Sequence, residues 1–375
     1  MKIAFVSNYF NHHQKPFCEA MYKLLGDDFC FISTDVISAE RIKLGYAQND
    51  TLPYICLTYA DPQARQRAIE LIGEADAVVV GAAPAEYLED RLRAGKLVLR
   101  YAERPYKKKP SVPRRIYHTV QFRVRDKGNR NVYMLCASAY AAADFQSVGM
   151  YKNRMYKWGY FPEVEAYDID GLLYRKKRNM ILWCGRFIDW KHPDEAIRLA
   201  GELKAKGYDF QLNMIGTGNM EEQLRHMAEA YGVTDMVHFL GSMPPERVRA
   251  YMEEAGIYLF TSDRQEGWGA VLNEAMASGC AVVASDAAGA TLFLVQDGEN
   301  GSVYRSGNFT DLFEKVQYLL NQPTAQVKYG RMAYRTVMDT WNGEVAAVRL
   351  LKLTESLLDE EKRVDLYAEG PCSRA

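Results

Sequence analysis

The sequence predicts an α/β protein with two domains, each a doubly wound parallel sheet. Short apolar runs recur along the chain, and many are continuous, as in strands covered on both faces. Helix-like segments separate several of these runs, which indicates parallel strands joined by right-handed crossovers. The expected strands are Ile3–Val6, Phe29–Ile32, Tyr54–Leu57, Ala77–Val80, Leu97–Leu99 and Val132–Cys136 in the first half, and Met180–Cys184, Phe210–Ile215, Val237–Leu240, Ile257–Phe260 and Ala281–Ala284 in the second.

The series of strands breaks between Tyr160 and Lys177, where a proline and a basic run interrupt the pattern. We therefore predict a Rossmann-like first domain over residues 1–160, a linker over 161–178 and a Rossmann-like second domain over 179–342. A helix and tail follow over 343–375, with the helix expected to pack toward the first domain and the residues after 360 expected to be loosely ordered. Two such domains facing each other would leave a deep cleft for a ligand.

Composition excludes several classes of protein. The 375 residues are 48% hydrophobic and 25% charged with a formal net charge of −1, which is typical of a soluble globular protein and not of a general polyanion binder. The seven cysteines form no C-x-x-C pair, as expected for free thiols in a reducing compartment. No run reaches the roughly 20 apolar residues of a membrane span, and the N-terminus does not resemble a secretory signal. We expect a cytoplasmic protein, with peripheral membrane contact left open.

The most informative motif runs from Ser262 to Gly279 and follows the predicted strand Ile257–Phe260. It therefore lies at the carboxyl end of a strand, where open α/β sheets bind ligands. Glu274 is the only charge on an otherwise apolar helix, and the two hydroxyls of a ribose would satisfy it. Glu266 precedes the helix beside small glycines that allow a ligand to approach the backbone. Alternatively, Glu266 caps the helix and Glu274 pairs with a basic residue.

A second motif, Gly185–Pro193, follows another predicted strand. Lys191 stands just before a helix, where a cation is unfavourable unless an anion lies between the two. A diphosphate would satisfy both Lys191 and Arg186. The alternative is two solvated cations neutralised by Asp189 or Asp194.

A glycine turn at Gly216 and Gly218 partly matches a dinucleotide-binding fingerprint. The third glycine is replaced by Glu221, and the strand Val237–Leu240 does not end in an acidic residue. We therefore exclude a nicotinamide cofactor, and no phosphate-binding P-loop is present.

Together these motifs resemble those of family 4 glycosyltransferases, retaining enzymes with the two-domain glycosyltransferase-B fold. The resemblance is carried by Glu-x7-Glu leading into Glu-Ala-Met-Ala-Ser-Gly over 266–279, by Gly-Arg-x4-Lys over 185–191, and by Val-Val-Ala-Ser over 282–285. It is strong from Met180 to Tyr304 and extends to the first half only in layout.

The resemblance implies that the donor is a nucleoside-diphosphate sugar, for which UDP is favoured. It implies that Arg186 and Lys191 bind the diphosphate, that Glu274 binds the ribose, and that Glu266 with the following backbone amides binds the transferred sugar. Glu266, Arg186 and Lys191 are the expected catalytic residues, and no metal cofactor is expected. The remaining expected donor-binding residues are Gly216, Gly267, Trp268, Gly269 and Ala270.

The sequence departs from the family at Trp268 and Val271, where Phe and Pro are usual, so the resemblance leaves the sugar unspecified. The first half also lacks the usual glycine pair and histidine, and its contacts are not carried over. A polar loop follows the first strand, and hydrogen bonding to acceptor or phosphate is favoured over a metal site, which needs three or four converging ligands. A plain surface loop is a comparable alternative. The acceptor-side candidates are Asn11, His12, His13, Glu103, Arg104 and His118.

Residues 100–130 form a strongly basic stretch, with eleven Lys and Arg against Glu103 and Asp126, or about +9. We interpret it as a mobile loop that meets the inner membrane or a lipid-diphosphate acceptor. A solvated loop is the alternative, and nucleic acid is excluded by the neutral total charge and the lack of a binding motif.

The expected reaction transfers a sugar to a hydroxyl of a glycan or lipid-linked glycan, with retention of anomeric configuration. The rival classes are a sugar-nucleotide epimerase on the same fold, which would change the sugar without an acceptor, and a non-catalytic nucleotide-sugar-binding partner. A phosphorylase would need a pyridoxal-phosphate lysine site that the sequence does not reveal.

Overall fold

The chain folds into two compact units. The computed structural model describes residues 1–37, 51–107, 110–359 and 365–375. The first unit comprises Met1–Glu163 together with Trp341–Ala375, and the second comprises Val164–Thr340.

The first unit is built on a sheet whose described strands are all parallel, in the order β3-β2-β1-β4-β5-β6-β7. The order reverses between β1 and β4, because the strands that follow β1 directly lie on one side and β5 to β7 lie on the other. Such a reversal leaves a crevice at the carboxyl ends of the two central strands. The strands are β1 (Ile3–Ser7), β2 (Phe29–Ser33), β3 (Ile55–Leu57), β4 (Ala77–Val80), β5 (Leu97–Ala102), β6 (Val132–Cys136) and β7 (Met155–Lys157).

Helices cover this sheet because its central strands are apolar on both faces. Every residue of β1 and of β4 is buried, so neither face of the sheet centre is left to water. Prolines stand at the first turns of the first and fourth helices, where a missing N–H costs nothing. The helices are α1 (Lys15–Leu25), α2 (Ala64–Glu74), α3 (Glu89–Arg93), α4 (Val112–Arg125) and α5 (Ala141–Gln146).

The second unit repeats the plan with described strands in the order β10-β9-β8-β11-β12-β13, again all parallel. Its order reverses between β8 and β11. The strands are β8 (Lys177–Cys184), β9 (Gln211–Ile215), β10 (Val237–Gly241), β11 (Ala255–Phe260), β12 (Ala281–Ser285) and β13 (Ser302–Tyr304). The helices are α6 (Ile169–Arg175), α7 (Pro193–Ala205), α8 (Glu221–Ala230), α9 (Pro245–Glu254), α10 (Val271–Ala277), α11 (Thr291–Leu294), α12 (Phe309–Asn321) and α13 (Pro323–Asp339).

The predicted fold class is confirmed, since both sheets are parallel and alternate with helices. All eleven predicted strands form. The structure adds β7 and β13, each only three residues long and at the edge of its sheet. The basic run at the expected linker is also more structured than predicted: Lys176 is buried, and its Nζ donates to the carbonyls of Met252 and Ala255 at 2.8 and 2.9 Å, at the end of α9.

The C-terminal segment belongs to the first unit. A last helix, α14 (Gly343–Leu358), contacts α1 so closely that a Cβ on Gly343 would lie 2.6 Å from the backbone N of Phe17. The expectation of a loose tail is wrong for its final residues. Cys372 and Ser373 are buried, and the backbone N–H of Lys157 donates to the Ser373 carbonyl at 2.7 Å. The tail thus covers the edge strand β7.

The basic stretch is not the mobile loop that the sequence predicted. Its centre is the helix α4, and two of its arginines are buried in ion pairs: Arg100 with Asp126 at 2.7 Å and Arg104 with Asp144 at 3.3 Å. Lys108 and Lys109, part of the same prediction, lie outside the described residues.

Arg91 of α3 is the best-connected buried cation of the first unit. Its guanidinium donates to the carbonyls of Ile72, Ala75, Asp76 and Leu97 at 2.7–3.1 Å, and burial lowers its pKa to about 10. It therefore ties the end of α2 to the start of β5.

We predict that Arg91→Met lowers the free energy of unfolding by about 3 kcal/mol, because buried carbonyls lose their donors. Urea unfolding measures the change. The control is Arg93→Met, two residues away, whose 61% exposed side chain contacts only surface carboxylates and whose loss is expected to change stability by less than about 0.5 kcal/mol. Equal effects of the two substitutions would contradict this assignment.

Candidate functional site

The reversal of strand order in the second unit brings two loops together. β8 and β11 are adjacent and parallel, so the loops that follow them leave the sheet at the same edge. The loop after β8 carries Arg186 and Lys191, and the loop after β11 carries Glu266 to Ala270. We call residues 185–192 and 261–270 the switch-point loops.

Lys191 and Glu266 form an ion pair across the switch-point loops. The Lys191 Nζ lies 2.5 Å from the Glu266 Oε2, and the side chains are only 14% and 16% exposed. The Ser262 hydroxyl donates to the same carboxylate oxygen at 3.2 Å. The partner of Lys191 is thus Glu266 and not Asp189, the alternative that was predicted; the Asp189 carboxylate accepts from the backbone N–H of Trp190 at 2.8 Å. The sequence analysis placed both partners at the sheet edge but did not pair them.

A buried threonine fixes the backbone at Lys191. The Thr261 hydroxyl donates to the Lys191 carbonyl at 2.6 Å and accepts from the Trp183 indole N–H at 2.8 Å. Asp263, two residues on, donates its backbone N–H to the Trp190 carbonyl at 2.8 Å. The two switch-point loops are therefore joined by backbone and side-chain hydrogen bonds. Sequence reasoning missed Thr261, and only its position at the end of a strand could have indicated it.

Gly216 permits the loop after β9 to contact the first switch-point loop. Its φ is +134°, and a Cβ there would lie 1.8 Å from the Gly185 carbonyl oxygen. Gly216 was predicted to bind the donor. The structure shows a packing role, because the absence of a side chain lets its backbone lie against Gly185, next to Arg186. The backbone N–H of Phe187 donates to the Thr217 carbonyl at 2.9 Å and completes this contact.

Arg186 is exposed at the same edge of the sheet. Within the described residues its guanidinium makes no ion pair, and it lies 5.8 Å from the centre of the Trp190 ring. The predicted neutralisation by Asp189 or Asp194 is again not seen. His192, next to Lys191, adopts a left-handed backbone conformation with φ of +48°, which non-glycine residues rarely adopt away from turns and functional sites.

Glu274 lies in α10, the short helix after the second switch-point loop. Burial raises the pKa of its carboxyl to about 7, against a smaller opposing effect from the charge of Arg249. The carboxyl has no hydrogen-bond partner in the part of the chain that the structure describes, so the alternative of a direct pairing with a basic residue is not observed. A carboxyl in this state gains from any ligand that offers hydroxyl donors.

The loop residues that follow Glu266 are mostly buried, and of Gly267 to Ala270 only Ala270 is partly exposed. Trp268 is fully buried, and its indole N–H donates to the Asn273 Oδ1 at 2.9 Å, so its side chain supports the loop from behind. The backbone N–H groups of Gly267, Gly269 and Ala270 have no acceptor among the described residues. These N–H groups are therefore not engaged within the described protein, and the one on the partly exposed Ala270 belongs to the most accessible of the three residues.

The site thus combines two cations, free N–H donors and two carboxylates. The cations and N–H groups suit an anionic group such as a phosphate, whereas Glu274 and Glu266 suit hydroxyls. Across the described ranges, no group of three His, Cys, Asp or Glu side chains is arranged to hold a metal ion, and no helix is long and apolar enough to span a membrane.

The first unit has its own cavity, of about 510 Å³, at the reversal between β1 and β4. The loop after β1, the ends of β4 and β5, and Tyr160 line it. Of the predicted acceptor-side residues, Asn11, His13 and Glu103 contribute to its wall. His12 contacts His13 with ring centres 3.8 Å apart but does not itself line the cavity.

The other two candidates do not reach this cavity. Arg104 is held by Asp144 and lies 4.7 Å from the Tyr140 ring. His118 packs on α4 between Tyr106 and Phe122. We therefore assign both residues to the packing of the first unit.

The cavity wall is aromatic and polar. His13 stacks on Tyr160 with ring centres 5.8 Å apart and an angle of 8°. Burial, followed by the neighbouring His12, lowers the pKa of His13 to about 3, so its imidazole is neutral at physiological pH. The Tyr160 hydroxyl donates to the Glu103 carboxylate at 2.7 Å, and Lys107 pairs with the same carboxylate at 3.0 Å. Flat rings with hydrogen-bonding groups at their edges are suited to sugars.

A family model of known proteins matches this sequence in a segment that begins before its midpoint and extends into its second half. The family model described as glycosyl transferases group 1 matches residues 168–336. An uncharacterized glycosyltransferase of Haemophilus influenzae is 30% identical over 151 residues, which are 40% of this chain and 42% of the relative. A GDP-mannose-dependent alpha-(1-6)-phosphatidylinositol monomannoside mannosyltransferase of Mycolicibacterium smegmatis is 29% identical over 182 residues, 47% of each chain. The matched segment spans less than half the length of these relatives.

Solved structures match over nearly the whole chain. HepE of Anabaena, in complex with UDP, has a TM-score of 0.68 at 16% identity and covers 95% of this chain and 100% of its own. A glycosyltransferase of Rickettsia africae has a TM-score of 0.66 at 14% identity and covers 96% and 99%. These likenesses show that the chain shares the two-domain fold of glycosyltransferases. The second unit in addition resembles the family model of glycosyl transferases group 1, whose match over residues 168–336 covers less than half of the chain.

Proposed function

We propose that the protein is a glycosyltransferase that moves a sugar from a nucleoside diphosphate, with UDP as the preferred base, to a hydroxyl of a glycan or lipid-linked glycan. The observation that carries the proposal is the pairing of Lys191 with Glu266 beside Arg186 at the switch point of the second sheet. A lone ion pair would be an ordinary structural feature. Here a second cation and free backbone N–H groups lie at the same edge without an anion to satisfy them.

Donor binding follows from the charges of the switch-point loops. The diphosphate binds Arg186 through its planar guanidinium and Lys191 through its point charge. When phosphate oxygens approach, Lys191 divides its hydrogen bonds between the donor and Glu266, which frees a carboxylate oxygen for a hydroxyl of the transferred sugar. The ribose hydroxyls donate to Glu274, the one carboxyl of α10.

Catalysis then depends on the leaving group. The bond between the anomeric carbon and the phosphate oxygen breaks, and the diphosphate leaves with the bonding electrons and an additional negative charge. Arg186, Lys191 and the free N–H groups stabilise that charge, and each such contact is worth about 3–4 kcal/mol in a transition state. We propose that the acceptor oxygen attacks the same face of the sugar and that its proton passes to the leaving phosphate, so that the anomeric configuration is retained.

The acceptor is assigned to the cavity of the first unit. Its volume of about 510 Å³ admits a sugar ring, and its stacked aromatic rings and Glu103 match a ring with several hydroxyls better than an acyl chain. The neutral His13 adds no charge of its own. The charged groups of the wall, Glu103, Arg100 and Arg125, are able to hydrogen-bond the hydroxyls of a sugar.

The names of the relatives guide the choice of donor. HepE has been solved with UDP and with UDP-glucose, whereas the mycobacterial relative is named as GDP-mannose-dependent. Both bases therefore belong in the first experiment, with UDP as the expected ligand.

We predict that UDP and UDP-sugars raise the melting temperature of the purified protein and that EDTA does not alter the shift. Lys191→Ala removes the shift, because the diphosphate loses its buried cation. The matched control is Lys204→Ala in α7 of the same unit. Among the described residues, its exposed Nζ contacts Asp235 and the Gly232 carbonyl, away from the switch-point loops. It should bind as the wild type does. GDP, ADP and their sugars complete the panel.

Absence of a shift with every nucleotide would refute the donor site and leave a non-catalytic role. Transfer is measured as release of free nucleoside diphosphate in the presence of a glycan. Binding of the nucleotide sugar without such release would also count against a transferase. Retention is measured separately, from the NMR coupling constant of the product's anomeric proton.

We predict that Thr261→Val weakens UDP binding about tenfold with little change in shape. The substitution removes the hydrogen bonds to Lys191 and Trp183 and leaves a buried indole N–H unpaired. Isothermal titration calorimetry gives the affinity. Thr261→Ser, which keeps the hydroxyl, should restore most of it. Unchanged affinity in the valine variant would show that Thr261 does not position Lys191.

We predict that Glu274 makes donor binding and stability depend on pH near 7. Because burial raises its pKa to about 7, the stabilising effect of the neutral form is present at low pH and is lost as pH rises through 7. Glu274→Gln should therefore gain stability over the wild type at pH 8 relative to pH 6. Ribose hydroxyls favour the carboxylate, so UDP binding at pH 7 should release more protons from the wild type than from the variant. Calorimetry in buffers of different ionisation enthalpy counts these protons, and equal counts would contradict the assignment.

A further inference from the structure

The helix α4 in the first unit carries a row of apolar side chains on its outer surface. Val112, Ile116, Val120 and Val124 recur every four residues and therefore share one face of the helix. They are 57–68% exposed, as is Tyr117 beside them at 62%. We call these five residues the apolar stripe of α4.

The inner face of α4 is already satisfied by the unit's core. Phe122 is buried, and its ring lies 5.5 Å from that of Phe145 and 5.6 Å from that of His118. The residues of the apolar stripe are more than half exposed and therefore contribute little to this core. A contiguous exposed apolar face of this kind is unusual on a soluble domain and marks an interaction surface.

Exposed cations accompany the stripe, and α4 contains no acidic residue at all. Arg114 and Arg115 lie in its first turn and Arg123 in its last, all exposed. The acidic residue that follows, Asp126, is buried and is neutralised by Arg100. The outer surface of α4 is therefore apolar along the stripe, and its charged side chains are all cationic.

We propose that α4 binds the surface of an anionic lipid bilayer, with the apolar stripe inserted at the interface and the arginines at the level of the phosphates. A helix with apolar side chains on one face and cations at its edges lies in the plane of a membrane interface. Arginine extends its charged end to the headgroups while its stem covers apolar surface. A protein partner would have to combine an apolar groove with acidic rims, whereas an anionic bilayer offers both features everywhere.

Vesicle flotation of the full chain tests this proposal. We expect the protein to bind vesicles of phosphatidylcholine with 30–40% phosphatidylglycerol, roughly the anionic fraction that gives a strong surface potential. Vesicles of phosphatidylcholine alone should bind it at least tenfold more weakly, and added salt should weaken binding to the anionic vesicles.

Two variants separate the contribution of the apolar side chains to vesicle binding from that of the arginines. Val120→Asp/Val124→Asp should lower the vesicle partition coefficient more than tenfold, and Arg114→Gln/Arg123→Gln should lower it several-fold on anionic vesicles only. The second variant retains the stripe and serves if the first fails to fold. The control is Val348→Asp. This valine lies on helix α14 of the same unit, is 41% exposed and is not part of the apolar stripe of α4. It should bind as the wild type does.

The proposal is overturned if the wild type binds both kinds of vesicle equally weakly, or if the variants in α4 bind as the control does. It is also overturned if the wild type forms a dimer in solution that Val120→Asp/Val124→Asp dissociates, because the stripe would then be an interface between two copies of the chain. Membrane binding is measured without nucleotide or acceptor and is therefore independent of the proposed transferase activity.

Discussion

The parallel pairing of β8 with β11 is the constraint on which the candidate donor site depends. The two strands are separated by more than seventy residues of sequence, but their adjacency places the ends of both at one edge of the sheet. Lys191 and Glu266 meet only because of this pairing, and Thr261 then joins the two loops through the Lys191 carbonyl. Any change that separates these strands would dismantle the cation, the carboxylate and their support together.

Electrostatics explain why such an edge is expected to hold a ligand. A partly buried ion pair gains little net stability, since desolvation offsets most of its attraction. The same edge also holds Arg186 without an ion-pair partner in the described ranges, and Glu274, whose pKa burial raises to about 7. The burial of the Glu274 carboxyl costs stability in the free protein, and the exposed Arg186 is solvated. A diphosphate linked to a ribose would satisfy both groups, because it brings anionic oxygens and hydroxyl donors in one molecule.

The sequence could predict what depends on local pattern. Continuous apolar runs identified the strands, and the strand Ile257–Phe260 before the motif correctly predicted that Glu266 follows the carboxyl end of a strand. Contacts between distant segments could not be predicted. The Lys191–Glu266 ion pair and the hydrogen bond from Thr261 to Lys191 join residues far apart in sequence, and Cys372 is buried by contacts with such distant residues. Three-residue edge strands such as β13 carry too little periodicity to detect. The basic stretch forms a helix and not a loop, and the signal for it in the sequence is the four-residue spacing of Val112, Ile116, Val120 and Val124.

The two units use the same topology for different chemistry. Each has a cavity or loop pair at the point where its strand order reverses. The second unit supplies Lys191 and Arg186 there, whereas the first combines the stacked rings of His13 and Tyr160 with Glu103 and with arginines at the cavity wall. This division follows from what the proposed substrates require. A leaving diphosphate gains charge and needs cations and N–H donors. An acceptor sugar is uncharged and instead needs flat rings to stack on and a carboxylate such as Glu103 to accept from its hydroxyls.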